Sequence, residues 1–300
     1  MKIKRLICAV ALCLAAIFTL SSCDSLFIYD IPRLYYPNGK TLVSHYLDVG
    51  QGDSIFIELP NGETMLIDSG ENYHGASIIK YIEDCGRDKI DYLVGTHPHS
   101  DHVGSMAYII RNFDIGSVYL PDASTNTYTY EKMLEAIKKK GLKVNTAKTG
   151  VSILTDSEES LDISILAPSN TKNVKNLNNT SVIIKLKYAD TSFLFTGDAE
   201  KSELKTLSGD LSADVLKVGH HGSETSTPQT LVDAVKPKIA VISVGKDNDY
   251  GHPSAKTLKR LENAGCEIYR TDQQQTVAVT SDGHTLNVET GFRTIERDQQ

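Results

Sequence analysis

Thr96-His97-Pro98-His99-Ser100-Asp101-His102 places four metal-ligand side chains within six residues. It follows Ile90-Asp91-Tyr92-Leu93-Val94-Gly95, a short apolar run that reads as a buried strand. On a helix, positions i and i+2 point to nearly opposite sides, so a helix would scatter these ligands. Pro98 also opposes a helix and pushes His97 toward extended backbone. The spacing therefore predicts an extended loop in which His97, His99 and Asp101 project to one side. His102 then turns to another side as the next helix begins. Two neighbouring donor clusters follow, one of imidazoles and one of carboxylate plus imidazole. That mixture suits zinc, manganese or iron.

Outward from this stretch, 300 residues at 40% hydrophobic content are enough to bury a sizeable core. The amino terminus reads as a separate segment. Met1-Lys2-Ile3-Lys4-Arg5 is basic, residues 6–20 are apolar, and Leu20-Ser21-Ser22-Cys23 places small residues before a cysteine. An apolar run shorter than the ~20 residues of a spanning helix fits a processed signal, with residues 1–22 as a lipoprotein signal peptide. Cys23 would then be the lipid attachment point, a covalent anchor to the membrane. Removing Lys2, Lys4 and Arg5 takes the formal charge from −7 to −10. So acidic a chain disfavours broad electrostatic capture of nucleic acid, while leaving room for a local basic groove. Cys85 and Cys266 remain after cleavage; two thiols are no disulfide framework, and whether they pair stays open.

Residues 23–40, with Pro32, Pro37 and Asn38-Gly39, read as a tether, residues 41–290 as one domain and residues 291–300 as a polar tail. Strands are expected at 42–47, 54–59 and 64–67, the last two joined by Pro60-Asn61-Gly62. A helix over 76–85 stopped by Gly86, a strand over 91–95, the ligand loop and a helix over 102–113 follow. Further along come a strand at 118–120, a helix at 129–140, strand segments through 144, 151–154 and 161–166, and an asparagine-rich loop at 169–179. A hairpin at 182–195 precedes βα alternation: helix 199–207, strand 215–218, helix 228–235, strand 239–244 and helix 254–264. A hairpin over 276–288 closes the domain. Runs of strands and strands alternating with helices, in two halves, suit an α/β (α+β) architecture of stacked sheets with helices outside.

Asp198 ends the apolar stretch Phe193-Leu194-Phe195-Thr196, just after Gly197, where a loop carboxylate can face the same cleft. A core aspartate without a cation or hydrogen bonds would be costly, which favours a ligand role. His220 and His221 end the 215–218 strand in the same fashion, and ligands at strand ends on one rim are how a rigid sheet holds a metal. Asp53 and Asp68 read equally as acceptors for ligand histidines or as turn aspartates bonding their own backbone. His252, in Tyr250-Gly251-His252-Pro253, leaves substrate contact, ligation and a plain cap-region role open. His45, His74 and His284 have no ligand neighbours and read as structural or surface residues. Ser181 has no G-x-S-x-G context, which argues against a serine nucleophile.

The H-x-H-x-D-H pattern at 97–102 resembles the signature of the metallo-β-lactamase superfamily. Leu47-Asp48-Val49-Gly50-Gln51-Gly52-Asp53-Ser54, Phe195-Thr196-Gly197-Asp198, Lys217-Val218-Gly219-His220-His221-Gly222-Ser223 and Tyr250-Gly251-His252-Pro253 are similar to the branch represented by the C-terminal hydrolase domain of ComEC DNA-uptake proteins. The resemblance implies a four-layer αββα sandwich. It implies that Asp198 bridges two sites, that His221 binds the second ion, and that His220 is free for substrate or proton transfer. Many family members carry another histidine before the strand leading to the bridging aspartate. Here Asn178-Asn179-Thr180-Ser181 stands instead, as in the ComEC-like pattern, leaving one ion short of a nitrogen donor and favouring an oxygen-loving metal such as manganese.

Together these readings predict a metal-dependent hydrolase on the outer side of a bacterial membrane, anchored at Cys23. One or two divalent ions, zinc or manganese, would sit among His97, His99, Asp101, His102, Asp198 and His221, with Asp101 and His220 as catalytic groups. Asn179, Ser181 and His252 are expected to contact substrate. A phosphodiester is the expected substrate class, and the resemblance implies nucleic acid; another cell-surface phosphodiester fits the anchor. No obligate protein partner is evident. Hydrolysis of a lactam, ester or amide is the second enzymatic reading, and a non-catalytic ligand-binding lipoprotein is the third. The intact ligand set argues against the third.

Overall fold

The computed structural model describes residues 40–292. The signal segment 1–22, Cys23, nearly all of the tether and the end of the tail lie outside the described residues. Strands β1 (Leu42–Tyr46), β2 (Ile55–Glu58), β3 (Thr64–Ile67), β4 (Lys89–Val94), β5 (Asp114–Leu120) and β6 (Val144–Thr146) begin the first sheet. Strands β7 (Ser152–Asp156), β8 (Leu161–Ala167), β9 (Ile183–Tyr188), β10 (Thr191–Phe195), β11 (Val215–Lys217), β12 (Ile239–Ile242) and β13 (Glu267–Arg270) make the second. Strands β14 (Thr276–Ser281) and β15 (Leu286–Phe292) return to the first. The orders are β15-β14-β1-β2-β3-β4-β5-β6 and β13-β12-β11-β10-β9-β8-β7.

Strand alternation fixes the layers, because successive side chains point to opposite faces. Met65 and Ile67 of β3 join Ile163, Ile184 and Phe195 in a core between the two sheets. Helices α1 (Gly75–Asp84), α2 (Ser100–Val103), α3 (Met106–Asn112) and α4 (Tyr128–Lys140) belong to the eight-stranded half. Ile78 and Ile82, Ile109 and Ile110, and Met133 and Ile137 are buried there. After α5 (Lys201–Leu204), helices α6 (Gln229–Val235) and α7 (Ala255–Asn263) pack Leu231, Val232 and Leu261 against Leu216, Ala240 and Ile242 on the far side of the second sheet. A short α8 (Thr271–Gln274) leads into β14. The result is the expected mixed α/β sandwich with two multi-stranded sheets.

Each sheet is antiparallel in one half and parallel in the other: β3–β6 run parallel, as do β10–β13. Open parallel sheets offer their ligand sites at the carboxyl ends of the strands. The loops after β3, β4, β10, β11 and β12 all leave from such ends.

Several boundaries differ from the sequence reading. The helix expected at 102–113 starts at Ser100 and is broken between α2 and α3 at Gly104-Ser105. A Cβ on Gly104 would sit 2.4 Å from the Ser100 carbonyl oxygen and 2.5 Å from the Glu71 carbonyl carbon, so the bare backbone lets α2 lie directly on the 71–72 loop. Ser105 then ties the break to that loop, donating to the Glu71 carbonyl and accepting from the His74 amide. The helix expected at 199–207 is only α5, because the Thr206 hydroxyl bonds back to the Glu203 carbonyl at 2.7 Å and competes with the next turn. Strand β15 runs to Phe292, two residues past the expected end of the domain. Strand β13 and α8 had no strong sequence pattern. Cys85 and Cys266 are free thiols: Cys266 packs with the helical layer of the second sheet and bonds the Pro237 carbonyl, while Cys85 caps α1 on the first.

Candidate metal centre

Strand β4 delivers Thr96 and His97 to the rim, and His99 remains extended as the N-cap of α2 (φ −73°, ψ 150°). The backbone then closes into one helical turn that carries Asp101 and His102 together. Asp101 therefore does not share an extended side with His97 and His99, as the spacing had suggested; the helix starts two residues earlier and turns it toward His221. The donor atoms of Asp101, His102, Asp198 and His221 lie within 4.8 Å of one another. His102 Nε2 is 3.3 Å from Asp198 Oδ1 and 3.7 Å from Asp101 Oδ2. His221 Nε2 is 3.3 Å from Asp101 Oδ2 and 3.8 Å from Asp198 Oδ2. Around the other oxygen of Asp198 stand His97 Nε2 at 4.0 Å and His220 Nε2 at 3.6 Å, with His99 Nδ1 3.0 Å from His97 Nε2.

His102 Nε2 and Asp198 Oδ1 are buried and face each other at 3.3 Å, and among the described residues neither has a well-aligned hydrogen-bond partner. Buried polar atoms are almost always partnered, so two such orphans across a short gap fit a cation between them. Two imidazoles with two carboxylates suit a divalent ion of the zinc or manganese kind.

The surrounding groups orient these donors. Asp68 sits at the end of β3 with φ 60°, where its Oδ2 takes His102 Nδ1 at 2.8 Å and the Thr96 hydroxyl at 2.6 Å, and its Oδ1 takes the Thr96 amide at 2.8 Å. That fixes the His102 ring with Nε2 aimed at Asp198. His221 is held likewise by Nδ1 donating to the Ser243 carbonyl at 2.9 Å, with Asp53 Oδ1 at 3.4 Å. Both aspartates whose role the sequence left open therefore contact histidines of the candidate cluster, His102 and His221. Lys217 completes the set: fully buried, it donates to Asp53 Oδ2 at 2.7 Å and to the Val218 carbonyl at 3.0 Å. Lys217 is a member of the site to which the sequence assigns no role. Its position at the end of an apolar strand was the available signal, since a buried ammonium demands a partner.

The electrostatics favour positive charge at this spot. Burial pulls His102 down, yet Asp198, Asp101 and Asp68 overcome it and hold the imidazole well above its usual range. Burial likewise opposes charge on His221, but Asp198, Asp101 and Asp53 raise it to about 10. Asp198 stays well below the carboxylate range despite burial, through His102, His221 and His97. His97 goes the other way: burial, then His102, drives it well below its usual value and leaves the ring neutral.

Three further residues were expected to contact substrate. Ser181 Oγ accepts from the Asp198 amide at 3.1 Å and lies 3.4 Å from His97 Nδ1, so it braces two residues of the candidate site. Asn179 Oδ1 accepts from the Glu200 and Glu203 amides at 3.2 and 3.3 Å and is engaged in starting α5. His252 stands beside His220, ring centroids 5.6 Å apart. Of the residues read as structural, His45 bonds Tyr81 and Glu58 on the first sheet, and His284 pairs with Asp190 at the surface. A polar cleft of about 860 Å³ opens beside Asp101, lined by Gln51, Glu71, Lys246 and Tyr250 among others.

Comparison with known proteins agrees with this arrangement. A family profile described as the Metallo-beta-lactamase superfamily matches residues 47–246. ComE operon protein 3 of Bacillus subtilis (strain 168) is 31% identical over 251 residues, 77% of this chain and 32% of that protein. Recombination protein 2 of Haemophilus influenzae is 29% identical over 231 residues, 75% of this chain and 27% of that protein. The chain thus spans about a third of the length of these relatives. Among solved structures, CmlA, a diiron beta-hydroxylase from Streptomyces venezuelae, superposes with a TM-score of 0.52 at 16% identity, over 85% of this chain and 55% of that one. At that identity the likeness concerns the fold alone.

Proposed function

The chain belongs to the metallo-beta-lactamase superfamily, in its ComEC-like branch, and from that premise we propose that this metal-dependent hydrolase is a phosphodiesterase acting on nucleic acid or another cell-surface phosphodiester. The observation that supports this reading is Asp198, whose Oδ1 faces His102 and whose Oδ2 faces His97, His220 and His221, so that one carboxylate stands among all four imidazoles. One or two divalent ions held by His97, His99, Asp101, His102, Asp198 and His221 would supply Lewis acidity at a phosphoryl oxygen and lower the pKa of a nearby water.

The chain's own residues do the rest. Asp101, partly open to the cleft and 3.3 Å from His221 Nε2, orients the attacking water and accepts its proton. His220 keeps 24% of its side chain exposed and contacts the phosphate or protonates the leaving group. Residues bracing the site from behind, Asp68, Asp53 and Ser181, hold these groups without touching substrate. The resemblance to the DNA-uptake branch points the phosphodiester toward nucleic acid, and lipidation at Cys23 keeps the domain at the membrane outside the cytoplasm.

Metal analysis combined with a screen on bis-p-nitrophenyl phosphate, single-stranded DNA and nitrocefin tests the reading. Turnover of both phosphodiesters and not of nitrocefin is expected; turnover of nitrocefin alone overturns it. His220→Ala should keep its metal and lose activity chiefly on poor leaving groups, by ~10²–10⁴-fold. His221→Ala should lose metal and fail on both phosphodiesters.

A further inference from the structure

Tyr250 is 71% exposed, yet its loop is not loose. The Asn248 side chain holds it from inside, donating to the Gly245 and His252 carbonyls at 3.0 and 2.7 Å and accepting from the Tyr250 and His252 amides at 3.2 and 3.0 Å. Behind it the loop is seated on the 220–222 turn, where a Cβ on Gly222 would come within 2.4 Å of Pro253. The backbone that presents Tyr250 is therefore braced against the turn that presents His220.

Rings line up along that brace. Tyr250 stacks on His252 at 5.8 Å and 23°, and His252 meets His220 edge-on at 5.6 Å. His220 in turn reaches Asp198, so the row runs from solvent to the centre of the donor cluster. His252 lies offset beside the tyrosine ring, nearly parallel to it, and most of the tyrosine is open. A single exposed aromatic is ordinary, but one held on a braced loop at a cleft mouth offers a rigid flat surface on which a ligand ring can stack.

We propose that the Tyr250–His252 pair is a stacking platform for the nucleobase next to the scissile phosphate, a proposal that rests on the phosphodiesterase reading above. The cleft chemistry favours a base over a longer stretch of backbone. Asp48 and Glu71 outnumber Lys246 along its wall, and Asp272 is paired with Arg270, so a run of phosphates gains little there. Gln273 lines the same wall beside Gln51, whose Oε1 accepts from the Gly245 amide at 3.1 Å and whose NH₂ is the group it offers to a base edge. Stacking is tolerant of sequence, because every base has a π-face, so the platform predicts cleavage with little base preference.

The test compares the purified chain with Tyr250→Ala and Tyr250→Phe. Binding is read by quenching of 2-aminopurine in a short single-stranded oligonucleotide, and turnover is read on that oligonucleotide and on an abasic oligomer of the same length. Wild type and Tyr250→Phe should quench 2-aminopurine and prefer the base-bearing oligomer by about tenfold in KM, the size of one base stack. Tyr250→Ala should lose the quenching and bring the two oligomers to the same KM. Equal quenching and an undiminished preference in Tyr250→Ala would overturn the platform, even with phosphodiester cleavage intact. Tyr250-dependent quenching with no cleavage of any phosphodiester would keep the platform and remove the phosphodiesterase reading. Competition by a cell-wall glycan fragment that the oligonucleotide fails to match would assign the stack to a sugar and overturn the proposal.

Discussion

Asp68 never needs to touch an ion to control one. Its carboxylate takes the His102 Nδ1 proton and two bonds from Thr96, which leaves Nε2 as the ring's only outward donor. Asp68→Asn keeps the shape but can present an amide N–H to that nitrogen. Affinity for zinc or manganese should fall about 10–100-fold with circular dichroism unchanged, as measured by metal titration; unaltered affinity would remove Asp68 from the site's support. Lys217 and Asp53 make a different case, a buried ion pair with side chains 0% and 2% exposed. Removing one partner strands the other charge, so Lys217→Met should cost about 3–5 kcal/mol in chemical denaturation. Burial alone would raise the Asp53 carboxyl, but Lys217, then His221 and His102, hold it at about 2 against an ordinary 3.8. A depressed carboxyl adds stability above its unfolded value, and that stability is lost as pH falls toward the folded one. Without Lys217 the carboxyl rises, so acid unfolding of the metal-free variant should begin at higher pH than in wild type. Coincident acid transitions would contradict the pairing.

At the scale of elements, β4, the His97–His99 loop and α2 act as one unit. Extended backbone presents two imidazoles, and the single turn that follows presents Asp101 and His102 to a different side. The unit is positioned by contact of α2 with the 71–72 loop at Gly104. Gly104→Ala keeps helical backbone but needs space already filled by the Ser100 carbonyl and the Glu71–Asn72 backbone. Overpacking of this kind costs about 1–3 kcal/mol, and here the displaced element carries two donors. Thermal denaturation should show that loss and metal titration a weaker ion; a variant with wild-type melting and wild-type affinity would show that α2 is placed by something else. The motif at 97–102 made the ligands legible, while the helix start was not, because the residues that decide it are Glu71, Asn72 and Ser105, remote in sequence or without periodic pattern.

For the molecule as a whole, the donors come from both sheets: Asp101 and His102 follow β4, whereas Asp198 and His221 follow β10 and β11. An ion among them would tie the two halves of the sandwich. Binding to the folded chain alone adds about 2.7 kcal/mol at a hundredfold excess over Kd. Chelation should therefore lower the melting temperature by several degrees, at about 2–4 °C per kcal/mol for a domain of this size. No shift on adding and removing metal would separate the cluster from folding. Among the described residues no helix is long and apolar enough to cross a membrane. The proposed membrane attachment is at Cys23. Cys23→Ala should release the protein from membranes or leave the signal segment uncleaved; unchanged fractionation and mass would sink the anchor.

What the sequence determined by itself was local: the dense H-x-H-x-D-H run, the aspartate and histidine pair after short apolar strands, and the strand and helix periods that build two sheets with helices outside. These are readable because ligand type, spacing and hydrophobic period are properties of neighbours in the chain. The tertiary structure alone decided which donors converge. It set Asp53 and Asp68 behind the histidines, gave Lys217 its partner 164 positions away, and turned Asn179 to a helix start and Ser181 to a brace. It also aligned Tyr250, His252 and His220 in one row. Each of those outcomes depends on a buried polar group finding its partner across a packed interface, and that requirement has no period along the chain to read.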